Sequence, residues 1–194
     1  MIIWLNGAFG AGKTQTAYEL RRRLEGSYVY DPENAGFFIR QNLPASLRTG
    51  DFQDYPMWRS CNLEMLSYIA ERHDGPIIVP MTITNRAYYD ELVGALARRF
   101  EVRHIILYAE EATLRKRLAS RLEGPDSWAA RQIGRCLRAF QEDITEVRLP
   151  TDGLSISQTV RRAADLAGIA LSEDRRGAVR RACDRFLIQC GHIR

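Results

Sequence analysis

Eight consecutive residues near the start of the chain, Gly7 to Thr14, have the composition and spacing of a phosphate-binding loop. Their sequence, GAFGAGKT, matches GxxxxGK[ST] in full. Glycine lets the backbone curl so that successive N–H groups face a phosphate, and the following helix adds its positive end. Lys13 would reach the outer phosphates, and Thr14 would bind Mg²⁺. We therefore expect ATP and Mg²⁺ to bind at Gly7, Ala8, Phe9, Gly10, Ala11, Gly12, Lys13 and Thr14. A glycine-rich turn without a ligand is the alternative.

A carboxylate follows the second predicted strand. Many P-loop proteins carry an acid after a buried apolar strand, but the apolar strand at 77–79 is followed by Pro80-Met81-Thr82. The acid instead stands at Asp31, after Tyr28-Val29-Tyr30, with Glu33 two residues later. At the C-terminal edge of a parallel sheet, Asp31 would accept a proton from a substrate hydroxyl or bind a water on Mg²⁺. A turn aspartate before proline is the alternative.

Two pairs of arginines flank a Gly-Pro break. Arg117 and Arg121 lie four residues apart before it, and Arg131 and Arg135 lie four apart after it. This arrangement predicts a hairpin lid near residues 117–135 that closes over the triphosphate. Because arginine spreads positive charge over phosphoryl oxygens, we expect Arg117 and Arg121 to take part in catalysis and Arg117 to bind the nucleotide. Solvated arginines on helix faces are the alternative.

The segment near residues 31–60 is rich in aromatic and basic side chains. Aromatic rings stack on a nucleobase or line an acyl groove, and arginine holds a phosphate. Each residue alone is typical of an ordinary core, but the group favours a large, partly apolar acceptor. The predicted substrate contacts are Asp31, Glu33, Phe37, Arg40, Phe52, Tyr55, Trp58 and Arg59.

The hydrophobic pattern predicts the scaffold that positions these residues. Apolar runs typical of strands occur near 2–5, 27–30, 77–79, 104–108 and 148–150. Helices are predicted near 13–24, 33–42, 57–72, 86–99, 110–122, 128–147, 155–167 and 173–189. Alternating strands and helices without a linker predict one domain over residues 1–194. Its fold would be a three-layer α/β/α sandwich around a five-stranded parallel sheet.

Composition limits the compartment and the partners. The net charge of +4 mildly favours anionic partners, but no nucleic-acid recognition motif is present. The four cysteines form no CxxC pair, so we expect reduced thiols in a cytosol.

The last predicted helix carries an apolar stripe with arginines around it. The stripe consists of Val179, Ala182, Cys183, Phe186 and Cys190. We expect this helix to pack against the sheet of its own domain. Contact with an anionic bilayer is the alternative.

Several blocks of the sequence resemble the tunicamycin resistance protein family. These blocks are MIIWLNGAFGAGKTQTAYEL, SYVYDPENAGF, DFQDYPMWR, IIVPMTIT, DSWAARQI and TDGLSI. The order of the elements is similar to the nucleoside monophosphate kinase branch of P-loop proteins. The resemblance implies an ATP-binding protein of the bacterial cytoplasm that protects against tunicamycin, a nucleoside antibiotic. It also implies that Lys13 clamps phosphate, Thr14 binds the metal, Asp31 contacts the acceptor, and Asp152 lies in the loop that holds adenine.

From these residues together with the resemblance we expect a small-molecule kinase that moves the γ-phosphoryl group of ATP to a hydroxyl of a nucleoside-type antibiotic. The alternative is an ATP-dependent protein that sequesters the drug without altering it. We expect a cytoplasmic location, with peripheral membrane contact as an open alternative, and no nucleic-acid partner. The acceptor hydroxyl is left open, and so is the choice between monomer and homodimer.

Overall fold

The computed structural model describes residues 1–121 and 123–191, except for the side chain of Cys190. The strands are β1 (Ile2–Gly7), β2 (Tyr28–Val29), β3 (Ile77–Pro80), β4 (Val102–Tyr108) and β5 (Arg148–Pro150). They form one parallel sheet in the order β2-β3-β1-β4-β5. The predicted five-stranded parallel α/β fold is therefore confirmed.

Strand β1 occupies the centre of the sheet. Ile3 lies opposite Ile78 of β3 on one side and Arg103 of β4 on the other. Every residue of β1 is buried, as expected for a parallel strand covered on both faces. The P-loop therefore leaves the sheet at the middle of its C-terminal edge, where ligands bind in open α/β folds.

The helices cover the sheet and carry the remaining segments. They are α1 (Lys13–Arg23), α2 (Glu33–Asn42), α3 (Pro56–Arg72), α4 (Arg86–Tyr89), α5 (Ala95–Ala97), α6 (Glu111–Ala119), α7 (Trp128–Glu142), α8 (Ile156–Ala167) and α9 (Ala178–Gly191). Short 3₁₀ turns span Ala45–Leu47 and Phe52–Asp54. Helix α1 contacts both α8 and α9, whereas α3 contacts residues 90–97. None of the helices within the described ranges is long and apolar enough to cross a membrane.

Four predicted helices need correction. The helix predicted over 86–99 contains a π-helical segment at Asp90–Gly94. Helix α7 ends at Glu142, five residues early, because the chain turns back and the amide of Ile144 bonds to Ala139. Helix α6 ends at Ala119, and the predicted last residue, Leu122, lies outside the described residues.

The last helix begins at Ala178 and not near residue 173. The residues before it are engaged elsewhere, since Asp174 accepts hydrogen bonds from the backbone and side chain of Arg176. These bonds hold the segment in a non-helical turn.

The apolar stripe of α9 faces solvent, so its predicted packing against the sheet is wrong. Its exposed members are Val179, Ala182, Cys183 and Phe186; the side chain of Cys190 lies outside the described part. The helix buries Asp184 in place of the stripe, with 6% of the residue exposed. The reason is electrostatic, because the guanidinium of Arg176 bonds to Asp184 at 2.7 Å and holds the charged face of the helix against the protein.

Candidate functional site

The P-loop has a backbone that only glycine adopts without strain at its key positions. Gly10 and Gly12 have φ angles of 86° and 96°, in the left-handed region. A Cβ atom on Gly10 would lie 2.9 Å from the carbonyl oxygen of Leu114, and one on Gly7 would lie 2.5 Å from that of Leu107. The loop is thus held open as a backbone cradle, which suits the close approach of phosphate oxygens.

Lys13 stands at the base of this cradle. Its ammonium group donates hydrogen bonds to the carbonyls of Gly7 (2.9 Å) and Ala8 (3.1 Å) and lies 5.4 Å from the centre of the Phe9 ring. Burial lowers the pKa of Lys13 to about 8, and Arg121 adds to the lowering. A half-buried cation whose hydrogen bonds to the described residues go to neutral carbonyls is a favourable site for a polyanion.

A cavity of about 680 Å³ opens in front of the P-loop. It brings together residues predicted from three separate segments: the phosphate loop, the acceptor segment and the lid. The predicted residues that line it are Phe9, Gly10, Gly12, Lys13, Thr14, Asp31, Glu33, Phe37, Arg40, Phe52 and Arg121. Gly7, Ala8 and Ala11 are buried behind this surface. Residues from three distant parts of the sequence therefore meet in one cavity.

Asp31 follows β2 and lines the cavity. One of its carboxylate oxygens accepts a hydrogen bond from the amide of Glu33 at 3.0 Å, at the start of α2. Both proposed roles of Asp31, in the turn and towards the ligand, are thus compatible with its position. Glu33 lines the same wall.

The aromatic part of the acceptor wall is built by α2 and the turn Phe52–Asp54. The rings of Phe37 and Phe52 meet edge to face with centroids 5.9 Å apart. Gly36 is buried under Phe52, and a Cβ atom there would lie 2.5 Å from the ring. Arg40 donates a hydrogen bond to the carbonyl of Thr49 at 2.9 Å. This wall offers an apolar face with one basic edge.

Three predicted acceptor contacts are not among the described residues that line the cavity. Trp58 is fully buried, and its indole N–H bonds to the carbonyl of Pro32 at 3.0 Å. The Tyr55 hydroxyl accepts a bond from the amide of Thr49 at 2.7 Å. Arg59 pairs with Glu91 at 2.6 Å. These contacts fit a scaffolding role behind the acceptor wall.

Arg117 lies on α6 and Arg121 lies just beyond its end, and the two side chains point to different places. Arg121 lines the cavity, and burial lowers its pKa. Arg117 instead donates hydrogen bonds to the hydroxyl (3.1 Å) and carbonyl (2.7 Å) of Thr151. Asp152 accepts a bond from the amide of Glu110 at 3.2 Å. Arg117 and Asp152 therefore brace the loops beside the site, and their predicted contacts with nucleotide stay predictions.

Helices α6 and α7, on either side of the Gly-Pro break, pack together. Arg131 bonds to the carbonyl of Asp126 within the hairpin. Arg135 reaches across to the acceptor segment and pairs with Asp51 at 3.2 Å. At the start of α7, Trp128 meets the Phe9 ring edge to face at 4.9 Å. The hairpin thus touches both the P-loop and the acceptor wall, whereas its movement as a lid stays a prediction.

Sequence reasoning missed a polar chain that links the acceptor segment to the P-loop. Gln53 donates to the carbonyl of Thr82 at 3.0 Å, and the Thr82 hydroxyl donates to the carbonyl of Gly7 at 2.8 Å. Both side chains are buried at the cavity wall. Thr82 stands just beyond β3, at the place where many P-loop proteins carry an acid. A polar residue at that place was therefore a usable signal in the sequence. Ile188 and Gln189, which also line the cavity, carried none.

The sequence matches the model of the AAA domain family over residues 2–142. The solved structure of the tunicamycin resistance protein of Deinococcus radiodurans is similar, with 32% sequence identity and a TM-score of 0.76. That comparison covers 89% of this chain and 98% of the other. A comparison with curated protein sequences found no match.

Two kinases share the fold at lower identity. A gluconokinase from Sinorhizobium meliloti 1021 is 17% identical, with a TM-score of 0.60 over 86% of this chain and 90% of its own. A shikimate kinase from Bacteroides thetaiotaomicron is 18% identical, with a TM-score of 0.60 over 87% of this chain and 99% of its own. At these identities the likeness concerns the fold alone.

Proposed function

The chain belongs to the AAA domain family and, among P-loop proteins with a kinase-like fold, to the tunicamycin resistance protein family, and from this premise we propose that it is an ATP-dependent phosphotransferase acting on a nucleoside-type antibiotic such as tunicamycin. One observation carries the proposal. The P-loop residues Lys13 and Thr14 share a single cavity with the carboxylate of Asp31 and an aromatic wall.

On the phosphate side, the backbone amides of the P-loop and the Lys13 ammonium would hold the triphosphate of ATP. The Thr14 hydroxyl would hold Mg²⁺ together with phosphate oxygens. ATP supplies the phosphoryl group, and Mg²⁺ neutralises charge on it. Arg121, half-buried at the cavity wall, would add positive charge where the transferred group would carry negative charge.

On the acceptor side, Asp31 would orient the acceptor hydroxyl and take its proton. The Phe37–Phe52 pair would pack against the base or the acyl chain of the drug, and Arg40 would contact its polar sugars. The cavity of about 680 Å³ falls in the range of about 300–1,000 Å³ typical of sites that enclose small molecules.

A second candidate function is ATP-dependent sequestration of the drug without chemistry. The observation that favours it is the hydrogen bond from the Glu33 amide to Asp31, because a carboxylate oxygen engaged in the turn is less available to take a proton from an acceptor hydroxyl. In that case closure of the site around ATP and drug would be the whole function.

Mass spectrometry of the drug separates the two. Purified protein is incubated with tunicamycin and Mg²⁺-ATP, with the Lys13→Ala variant as the matched control. Phosphotransfer predicts a mass increase of one phosphoryl group and equimolar ADP, both absent from the control. An unmodified drug together with ATP-dependent drug binding would instead support sequestration.

We place the protein in the bacterial cytoplasm, with contact at the inner face of the membrane as part of the proposal. The outward face of α9 exposes Val179, Phe186 and Leu187 beside arginines such as Arg180, a pattern that suits an anionic bilayer surface. Sedimentation with anionic vesicles, compared with neutral ones, tests this part. Equal recovery with both vesicle types, or none with either, removes it.

A further inference from the structure

The C-terminal segment is tied to the P-loop helix by a compact ionic cluster. Glu19 of α1 is almost fully buried, and its carboxylate bonds to the guanidinium of Arg176. The same guanidinium bonds to Asp184 at 2.7 Å and to Asp174 at 2.8 Å. Arg180 adds a pair with Asp184 at 3.2 Å. A guanidinium shared among three carboxylates holds this segment in one orientation on α1.

A second set of contacts fixes the helix closer to the P-loop. The Gln15 side-chain amide donates to the carbonyl of Arg185 at 2.8 Å. Arg185 in turn donates to the hydroxyl of Ser157 on α8 at 3.1 Å. Helix α9 is therefore held on both helices that follow the nucleotide-binding edge of the sheet.

These contacts bring the end of α9 to the ligand cavity. Ile188 and Gln189 line it together with Thr14 and Gln15. Residues 184, 185, 188 and 189 recur at helical spacing and form one inward face, whereas Phe186 and Leu187 point outward, each 66% exposed.

Two polar atoms at this junction are buried without a hydrogen-bond partner among the described residues. They are Oε1 of Gln15 and Nε of Arg185. Buried polar groups are usually paired, and an unpaired one commonly marks the place of a ligand or a water. Oε1 of Gln15 is an acceptor, so the missing group is a donor, such as a hydroxyl.

We propose that the end of α9 is part of the nucleotide site, in which Gln189 and Gln15 hydrogen-bond the sugar hydroxyls of the bound nucleotide and Ile188 packs against its nucleoside. This inference rests on the proposed function, since it requires that a nucleotide occupies the P-loop. It assigns ligand contacts to a helix outside residues 2–142, the range matched by the family model.

Calorimetry with two probes tests the assignment. Mg²⁺-ATP carries a nucleoside, whereas Mg²⁺-tripolyphosphate presents only phosphates to the P-loop. We expect Gln189→Ala and Ile188→Ala each to weaken ATP binding by about tenfold, the scale of one lost contact, and to leave tripolyphosphate binding unchanged. The matched control is Leu187→Ala, on the outward face of the same helix, which should bind both probes like the wild type.

The outcomes separate the inference from the function on which it rests. If wild-type protein binds neither probe, the proposed function fails. Should both probes bind the wild type and the two α9 variants equally well, the inference alone fails. An equal loss of affinity for both probes also overturns it, because the contact would then be to phosphate.

A measurement on the unmodified protein avoids any problem of variant folding. Hydrogen exchange of the amides in residues 178–189 should slow when ATP is added and stay unchanged with tripolyphosphate. If the exchange rates of these amides do not change at a saturating concentration of ATP, the proposal is contradicted. Arg176→Met should speed exchange in the same segment, whereas Arg175→Met, a change in an 88% exposed side chain, should not.

Discussion

The phosphate side and the acceptor side of the cavity are built in different ways. The phosphate side is one stretch, Gly7 to Thr14, whose shape follows from local glycine conformations and from bonds between Lys13 and its own loop. The acceptor side is assembled from α2, the turn Phe52–Asp54 and the end of β3, which meet through packing and through the hydrogen bond from Gln53 to Thr82. A contiguous motif therefore reports its chemistry directly, whereas a side chain in the right segment can still face the core.

The largest expected effect lies on the phosphate side. Lys13→Ala should abolish measurable ATP binding, because in the proposed function the Lys13 ammonium is the main partner for the outer phosphates. Calorimetry with Mg²⁺-ATP measures the effect. The control is Lys116→Ala, the other lysine of the chain, which is exposed on α6 and should bind like the wild type. If Lys13→Ala bound ATP as tightly as the wild type, the phosphate side would contribute no more to ATP binding than the acceptor side.

Asp31→Asn tests the acceptor side with a smaller expected loss. The amide oxygen can still accept the hydrogen bond from the Glu33 amide, so the turn is kept, but the proposed general base is removed. We expect kcat for drug phosphorylation to fall roughly 10²–10⁴-fold with ATP affinity unchanged. Asp54→Asn, in the same segment but exposed, is the control. Undiminished product formation would remove Asp31 as the base.

The pH dependence of ATP binding reports the burial of Lys13. Since its pKa in the free protein is about 8, a growing fraction of the protein carries a neutral lysine above that pH. ATP affinity should then decline by about tenfold per pH unit above pH 8. A lysine of ordinary pKa would show the break near 10.5. Lys13→Arg should move the break out of this range, since arginine stays charged.

The lowered pKa of Lys13 also makes the stability of the folded protein depend on pH. Between pH 8 and 10.5 the unfolded chain holds a proton on Lys13 that the folded chain has lost, so the free energy of unfolding rises with pH in this window. Below pH 8 the cost of the buried charge is fully present. The difference between wild type and Lys13→Met in chemical denaturation isolates this contribution.

The prediction with the smallest expected effect on function concerns Trp58. It tests whether this residue supports the acceptor side from behind or contacts the drug. Trp58→Phe leaves the buried carbonyl of Pro32 without its donor, which should lower the free energy of unfolding by about 1–3 kcal/mol. Drug affinity should change little. Phe38→Leu, at a 69% exposed position, is the control for stability. A large loss of drug affinity in a variant as stable as the wild type would instead indicate that Trp58 contacts the ligand.

Much of the molecule could be predicted from the sequence. The five strands and their parallel orientation follow from apolar runs that alternate with segments of helical periodicity, because each apolar run must be buried between helices. Helix ends were less predictable. The end of α7 depends on a backward turn at Ile144, and the start of α9 depends on the bonds of Asp174 to Arg176, contacts that periodicity does not report.

The sequence by itself determined the phosphate cradle, since glycine and lysine at that spacing meet a requirement that is local in the backbone. Only the tertiary structure decided which of the predicted acceptor contacts line the cavity: Phe37 and Phe52 line it, while Trp58 and Arg59 lie behind it. It also decided that α9 turns its charged face inward. The physical reason is that burial and ion pairing depend on neighbours far away in sequence, such as Glu19 and Arg176, and these neighbours are chosen by the packing of the whole fold.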